Sequence, residues 1–143
     1  MEACDIAKER VESGLAKLIF VKNNQIILEK TQNGVAGALE AYENESRLID
    51  GAHAVDKIVG KGAAIIFVLA KVKSVYAFVI SEAAKKVFSK NGIHVKWQKC
   101  VPYIANRSGN GVCPIEQSIE GLDNPNECFG AIKTCLYELK TKR

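Results

Sequence analysis

The chain has 143 residues, 48% hydrophobic and 25% charged, which suits one globular domain, residues 1–143, with its own hydrophobic core. Its formal net charge of +4 is spread along the sequence, apart from Lys140, Lys142 and Arg143 at the end, a pattern that does not favour nucleic acid as a partner. The longest apolar run, Gly62 to Ala70, is too short to cross a bilayer, and Asp5, Lys8, Glu9 and Arg10 break up the start where a signal peptide would be apolar, so the expected setting is cytoplasmic with no membrane. Five cysteines, none spaced C-x-x-C, argue against a disulfide framework and a structural zinc site.

Taken in order, residues 2–13 read as a helix in which Ile6 and Val11 stand among alternating charges. Leu15 to Val21 and Ile26 to Lys30 read as strands of a hairpin, with Lys22-Asn23-Asn24-Gln25 supplying the turn. Asn33-Gly34 breaks the pattern, Val35 to Tyr42 has helical spacing, and Ala52 to Val55 reads as a short strand. Asp56 then offers an N-cap for a buried helix reaching about Lys71. On that reading Lys57 and Lys61, four apart, share a face near the helix start. Gly60 and Gly62 each cost about 1 kcal/mol relative to alanine inside a helix. Two lysines and two glycines at a helix start suit an anion held close to the backbone; tight helix–sheet packing explains the glycines equally well. The order Gly-Lys is not a P-loop, because the first glycine and the following Ser or Thr are missing.

Ser74 to Ile80 is apolar on both faces and predicts a central strand. Ser81 caps the next helix with Glu82 in its first turn, and Asn91-Gly92 ends it. Ile93 to Gln98 alternates as a strand, so the pair joined by that helix forms a parallel βαβ unit. A polar glycine loop, Asn106-Arg107-Ser108-Gly109-Asn110-Gly111, leads into Cys113-Pro114-Ile115-Glu116. Pro114 fits the first helical position, Cys113 the cap, and Glu116 a capping-box carboxylate reaching back to the Cys113 N–H. Gly109 and Gly111 allow the backbone to curl around an anion. Of the five thiols, only Cys113 has a loop-to-helix setting that suits a nucleophile. Cys128 and Cys135 share one face of a last helix that begins after Asp123-Asn124-Pro125.

The stretches Val55-Asp56-Lys57-Ile58-Val59-Gly60-Lys61-Gly62-Ala63-Ala64, Val79-Ile80-Ser81-Glu82, and Val101-Pro102-Tyr103-Ile104 continuing to Cys113-Pro114-Ile115-Glu116 resemble a family of small prokaryotic proteins of unknown function with a cytidine-deaminase-like fold. The resemblance implies a three-layer α/β/α sandwich on a mixed sheet that includes an N-terminal β-hairpin. It supplies no activity. Zinc deaminases of similar layout place His-x-Glu and Pro-Cys-x-x-Cys at two helix starts, and the corresponding positions here read as Asp56-Lys57 and Ser81-Glu82. No metal site and no cofactor are therefore expected.

Two classes of function fit these residues. In the first, the protein binds a nucleotide-like or other phosphorylated small molecule. Asp56, Lys57, Gly60, Lys61, Ser81, Glu82, Asn106, Arg107, Gly109, Gly111 and Glu116 then frame the ligand, and Cys113 is the candidate nucleophile. In the second it is a non-catalytic sensor or redox-responsive module with Cys113 as the sensing thiol. Both leave room for a homo-oligomer.

Overall fold

The computed structural model describes residues 2–32, 34–106 and 108–141. Helix α1 (Ala3–Glu12) is followed by strands β1 (Leu18–Lys22) and β2 (Gln25–Lys30), joined by Asn23 and Asn24, which both have positive φ, 53° and 58°. Two left-handed residues in a two-residue loop match the twist of a hairpin, and asparagine tolerates that conformation well. Then come α2 (Ala36–Ile49), β3 (His53–Val59), α3 (Lys61–Leu69), β4 (Ser74–Ser81), α4 (Glu82–Lys90), β5 (His94–Val101), α5 (Pro114–Ser118) and α6 (Pro125–Thr141).

The five strands form one mixed sheet in the order β2-β1-β3-β4-β5. Strand β1 is antiparallel to both β2 and β3, whereas β3, β4 and β5 are parallel. Parallel neighbours need crossovers, and α3 and α4 supply them. The main core joins Leu18, Phe20, Ala54, Val75, Ala77 and Ile80 of the sheet to α2, α3, α4 and α6. A second core on the opposite face packs Ala3, Ala7 and Val11 of α1 against Ile19, Val21 and Val55. The architecture is the expected α/β/α sandwich with its opening hairpin.

The sheet has one irregularity that a strict alternation of faces would miss. Asp56 pairs with Ala77 and Ala77 with Trp97; Ile58 pairs with Val79 and Val79 with Lys99. Pairing is interrupted in the row between them, which holds Lys57, Phe78 and Gln98. The phase of the strands changes there: Ala54 and Val59, and likewise Ala77 and Ile80, all belong to the main core although each pair is an odd number of residues apart.

The helix expected from Asp56 is a correction. Residues His53–Val59 form a strand, and the helix begins at Lys61 with Gly60 as its cap. Val55, Ile58 and Val59 favour an extended chain, and this local preference combined with pairing to β1 and β4 outweighs the capping tendency of Asp56. Lys57 and Lys61 therefore do not share a helix face. Helix α2 runs on to Ile49, and β5 extends to Val101. Among the described residues, no helix is long and apolar enough to cross a membrane.

Phe67 of α3 is fully buried, with its ring edge-on to Phe20, centroids 6.1 Å apart and planes at 78°. Phe67→Ala is expected to lower the unfolding free energy by about 3–5 kcal/mol in chemical denaturation, the range for emptying a packed aromatic site.

Candidate functional site

Parallel strands deliver successive helix starts to the carboxyl edge of their sheet. Here β3 leads through Gly60 into α3, and β4 runs directly into α4. A small hairpin follows β5, with Ala105 bridged to Val112, and ends at Cys113, the cap of α5.

The first two amides of α3 are not open. The N–H of Lys61 donates to Glu116 Oε1 at 2.6 Å and that of Gly62 to Oε2 at 2.9 Å. Glu116 lies in the first turn of α5, so one short helix places a carboxylate on the positive end of another. The link is reciprocal. Lys61 Nζ donates to the carbonyls of Ile119 at 3.1 Å and Leu122 at 2.6 Å, satisfying groups at the far end of α5. The expected capping box at Cys113 is thus corrected: the Cys113 N–H donates to Ile104 O at 2.9 Å, and Glu116 reaches α3 instead.

This contact explains the glycines. A Cβ on Gly60 would lie 2.5 Å from Glu116 Oε1, 2.8 Å from its Cδ and 2.9 Å from Ile104 Cγ1. A Cβ on Gly62 would meet Ile115 Cγ2 at 3.0 Å. Both glycines admit α5 and its carboxylate against α3.

The hairpin tip uses its own polar groups. Asn106 N donates to Gly111 O, Gly109 N to Asn106 O, and Asn110 N to Asn106 Oδ1. Asn106 Nδ2 also donates to Asn110 Oδ1 at 3.1 Å. Gly109 has φ +74°, the left-handed turn that glycine permits at least cost. Gly111 lies against Asn106, whose Nδ2 would be 3.4 Å from an added Cβ. Arg107 lies outside the described residues.

Other expected site residues have different surroundings. Ser81 is buried, and its Oγ accepts from Ala84 N at 3.1 Å, an N-cap for α4. Lys57 is half-buried in β3, its N–H donating to Lys17 O. Asp56 is buried within the sheet, and burial pushes its carboxyl up to about 8, with the Lys57 and Ile58 amides pulling the other way. Glu82 is exposed at the start of α4 and accepts from Cys100 Sγ at 3.1 Å. That bond holds the Glu82 carboxyl below its ordinary range and raises the Cys100 thiol. Burial raises the Cys128 thiol. Cys113 is half-buried. The Glu82–Cys100 pair escapes sequence reading because it depends on how α4 folds back along β5.

A family described as a domain of unknown function (DUF1893) matches residues 6–136. The chain belongs to the DUF1893 family. The structure of a DUF1893 family protein from Thermotoga maritima superposes with a TM-score of 0.82 at 24% identity, covering 95% of this chain and 89% of that one. A dCMP deaminase from the cyanophage S-TIM5 superposes with a TM-score of 0.50 at 17% identity, over 68% of this chain and 98% of that one. Acinetobacter baumannii RibD gives 0.51 at 18% identity, over 66% of this chain and 33% of that one. At these identities the likeness is one of fold. No curated protein matches the chain.

The zinc of zinc deaminases does not fit the DUF1893 chain described here. Its α3 and α4 starts carry Gly60-Lys61-Gly62 and Ser81-Glu82-Ala83, without histidine or cysteine. Among the described residues no three His, Cys, Asp or Glu side chains are grouped closely enough to hold a metal ion.

Two outcomes follow. Gly60→Ala should destabilise the protein, whereas in a Glu116→Ala background the same change should cost less; a double-mutant cycle by denaturation should give a coupling of about 1 kcal/mol or more. For Asp56, the folded carboxyl is raised far above its unfolded value near 3.8. Between about pH 4 and 8 the folded chain keeps a proton that the unfolded chain has released, so stability falls as pH rises through this window and levels off above it. Asp56→Asn should flatten that part of the stability–pH profile and gain on the order of a few kcal/mol at pH 8.5 relative to wild type.

Proposed function

We infer that the protein binds a nucleotide-like or other phosphorylated small molecule at the carboxyl edge of its sheet, beside Cys113, without zinc-dependent deamination, in the cytoplasm. The observation supporting this reading is an edge that already holds one anion. The amides of Lys61 and Gly62 converge on the Glu116 carboxylate, and Cys113 precedes that residue by three positions. A helix start favours negative charge, whether it comes from the chain or from a ligand. Two of the other thiols are committed: Cys100 is tied to Glu82, and Cys128 is buried, each held towards the protonated form.

A second reading, a non-catalytic sensor with Cys113 as the responsive thiol, is favoured by the same carboxylate. Glu116 fills the start of α3, where a reacting group would otherwise be held. The two readings separate on turnover, because an enzyme must release product whereas a sensor needs only occupancy.

Timed alkylation with peptide mass mapping tests the shared claim. Cys113 should label faster than Cys4, Cys100, Cys128 and Cys135, and CMP, ADP-ribose or NAD should slow it. Labelling no faster than at Cys4 would count against a responsive thiol. Equal rates with and without every phosphate ligand would count against a ligand at this edge.

A further inference from the structure

We propose that the groove between α3 and α4 is the phosphate-holding part of the binding site, with Lys86 and Lys90 as the residues that contact the phosphate. The proposal rests on the reading that the protein binds a phosphorylated small molecule, and it names a place that the motif residues do not include. The groove has a volume of about 310 Å³, at the lower end of the range for small-molecule pockets. Its apolar lining comes from Ile65, Ala83 and Val87. Lys61, Lys86 and Lys90 line the same space, and Asp123 is the acidic residue that opposes them, leaving three positive charges against one negative.

The lysines play different parts. Lys61 spends two of its three ammonium donors on the Ile119 and Leu122 carbonyls, so it contributes charge and at most one further bond. Lys86 and Lys90 are exposed and four residues apart, on one face of α4. Among the described residues neither has a carboxylate within ion-pair distance; the neighbouring Lys85 instead pairs with Glu82 at 3.7 Å and lies 4.6 Å above the Trp97 ring. A dianionic phosphate placed between them would complement both charges. The apolar lining leaves room for the base or sugar of a mononucleotide. Lys61 also joins the groove to the sheet edge, because its backbone N–H is held by Glu116. The ligand class is therefore a phosphomonoester or diphosphate with a compact, partly apolar body.

Titration calorimetry with CMP, ADP-ribose and cytidine on the full chain tests this assignment. CMP or ADP-ribose should bind, and cytidine, which lacks the phosphate, should bind about tenfold more weakly or not at all. The double variant Lys86→Ala/Lys90→Ala should weaken the phosphate ligand by about tenfold or more, while Lys85→Ala, which removes the same kind of charge from another side of α4, should stay within about twofold. Thermal unfolding of each variant confirms that it is folded. If CMP or ADP-ribose binds and the double variant binds it as well as wild type, the groove assignment is overturned while the functional reading stands. If no phosphate ligand binds wild type, both fall.

Discussion

The arrangement of the site depends on a carboxylate crossing from one helix to another. Glu116 supplies the acceptors for the first two amides of α3, and Lys61 in return supplies donors for carbonyls at the end of α5. Each helix thus satisfies backbone groups that the other cannot satisfy for itself. A five-residue helix has little stability of its own, so α5 is held by this exchange and by Ile115 and Ile119 in the main core. The geometry leaves no room for a side chain on Gly60. Chain entropy lost at the glycines is offset by a charge-assisted contact that joins residues more than fifty positions apart.

With α3 satisfied internally, the edge of the sheet divides its polar groups into committed and available sets. Ser81, Glu116 and the amides of the Asn106 hairpin are committed to the protein. Cys100 is held by Glu82, and Cys128 lies in the core. Lys85 is committed to Glu82 and Trp97, whereas Lys86 and Lys90 have no carboxylate within ion-pair distance among the described residues. A fold shared with deaminases can carry different residues at its helix starts, because fold alone does not determine reaction.

Much of the architecture was legible in the sequence. The Asn23-Asn24 turn, the apolar run of β4, the Ser81 cap and the Gly92 stop are local signals, and the structure follows them. The start of α3 was misread because Asp56 is a good cap in isolation, whereas a strand at 53–59 gains pairing on both sides that no local pattern displays. Glu116 was recognised as a helix-start carboxylate but assigned to the wrong helix: the capping box is a spacing within one segment, and the amides it serves are distant in sequence. Lys86 and Lys90 belong to no motif in the sequence; they share a concave surface only through the packing of α3 against α4.

The interrupted row at Lys57, Phe78 and Gln98 bears on how this sheet can change over evolutionary time. Three adjacent strands shift phase together, so each keeps its inward residues inward only while its neighbours shift at the same level. Deleting one residue from β4 alone at this level would carry Ile80 out of the core and leave the register of β3 and β5 unmatched. A change of length within β3, β4 or β5 therefore disturbs all three strands, whereas a change of length in a connecting loop leaves their register intact.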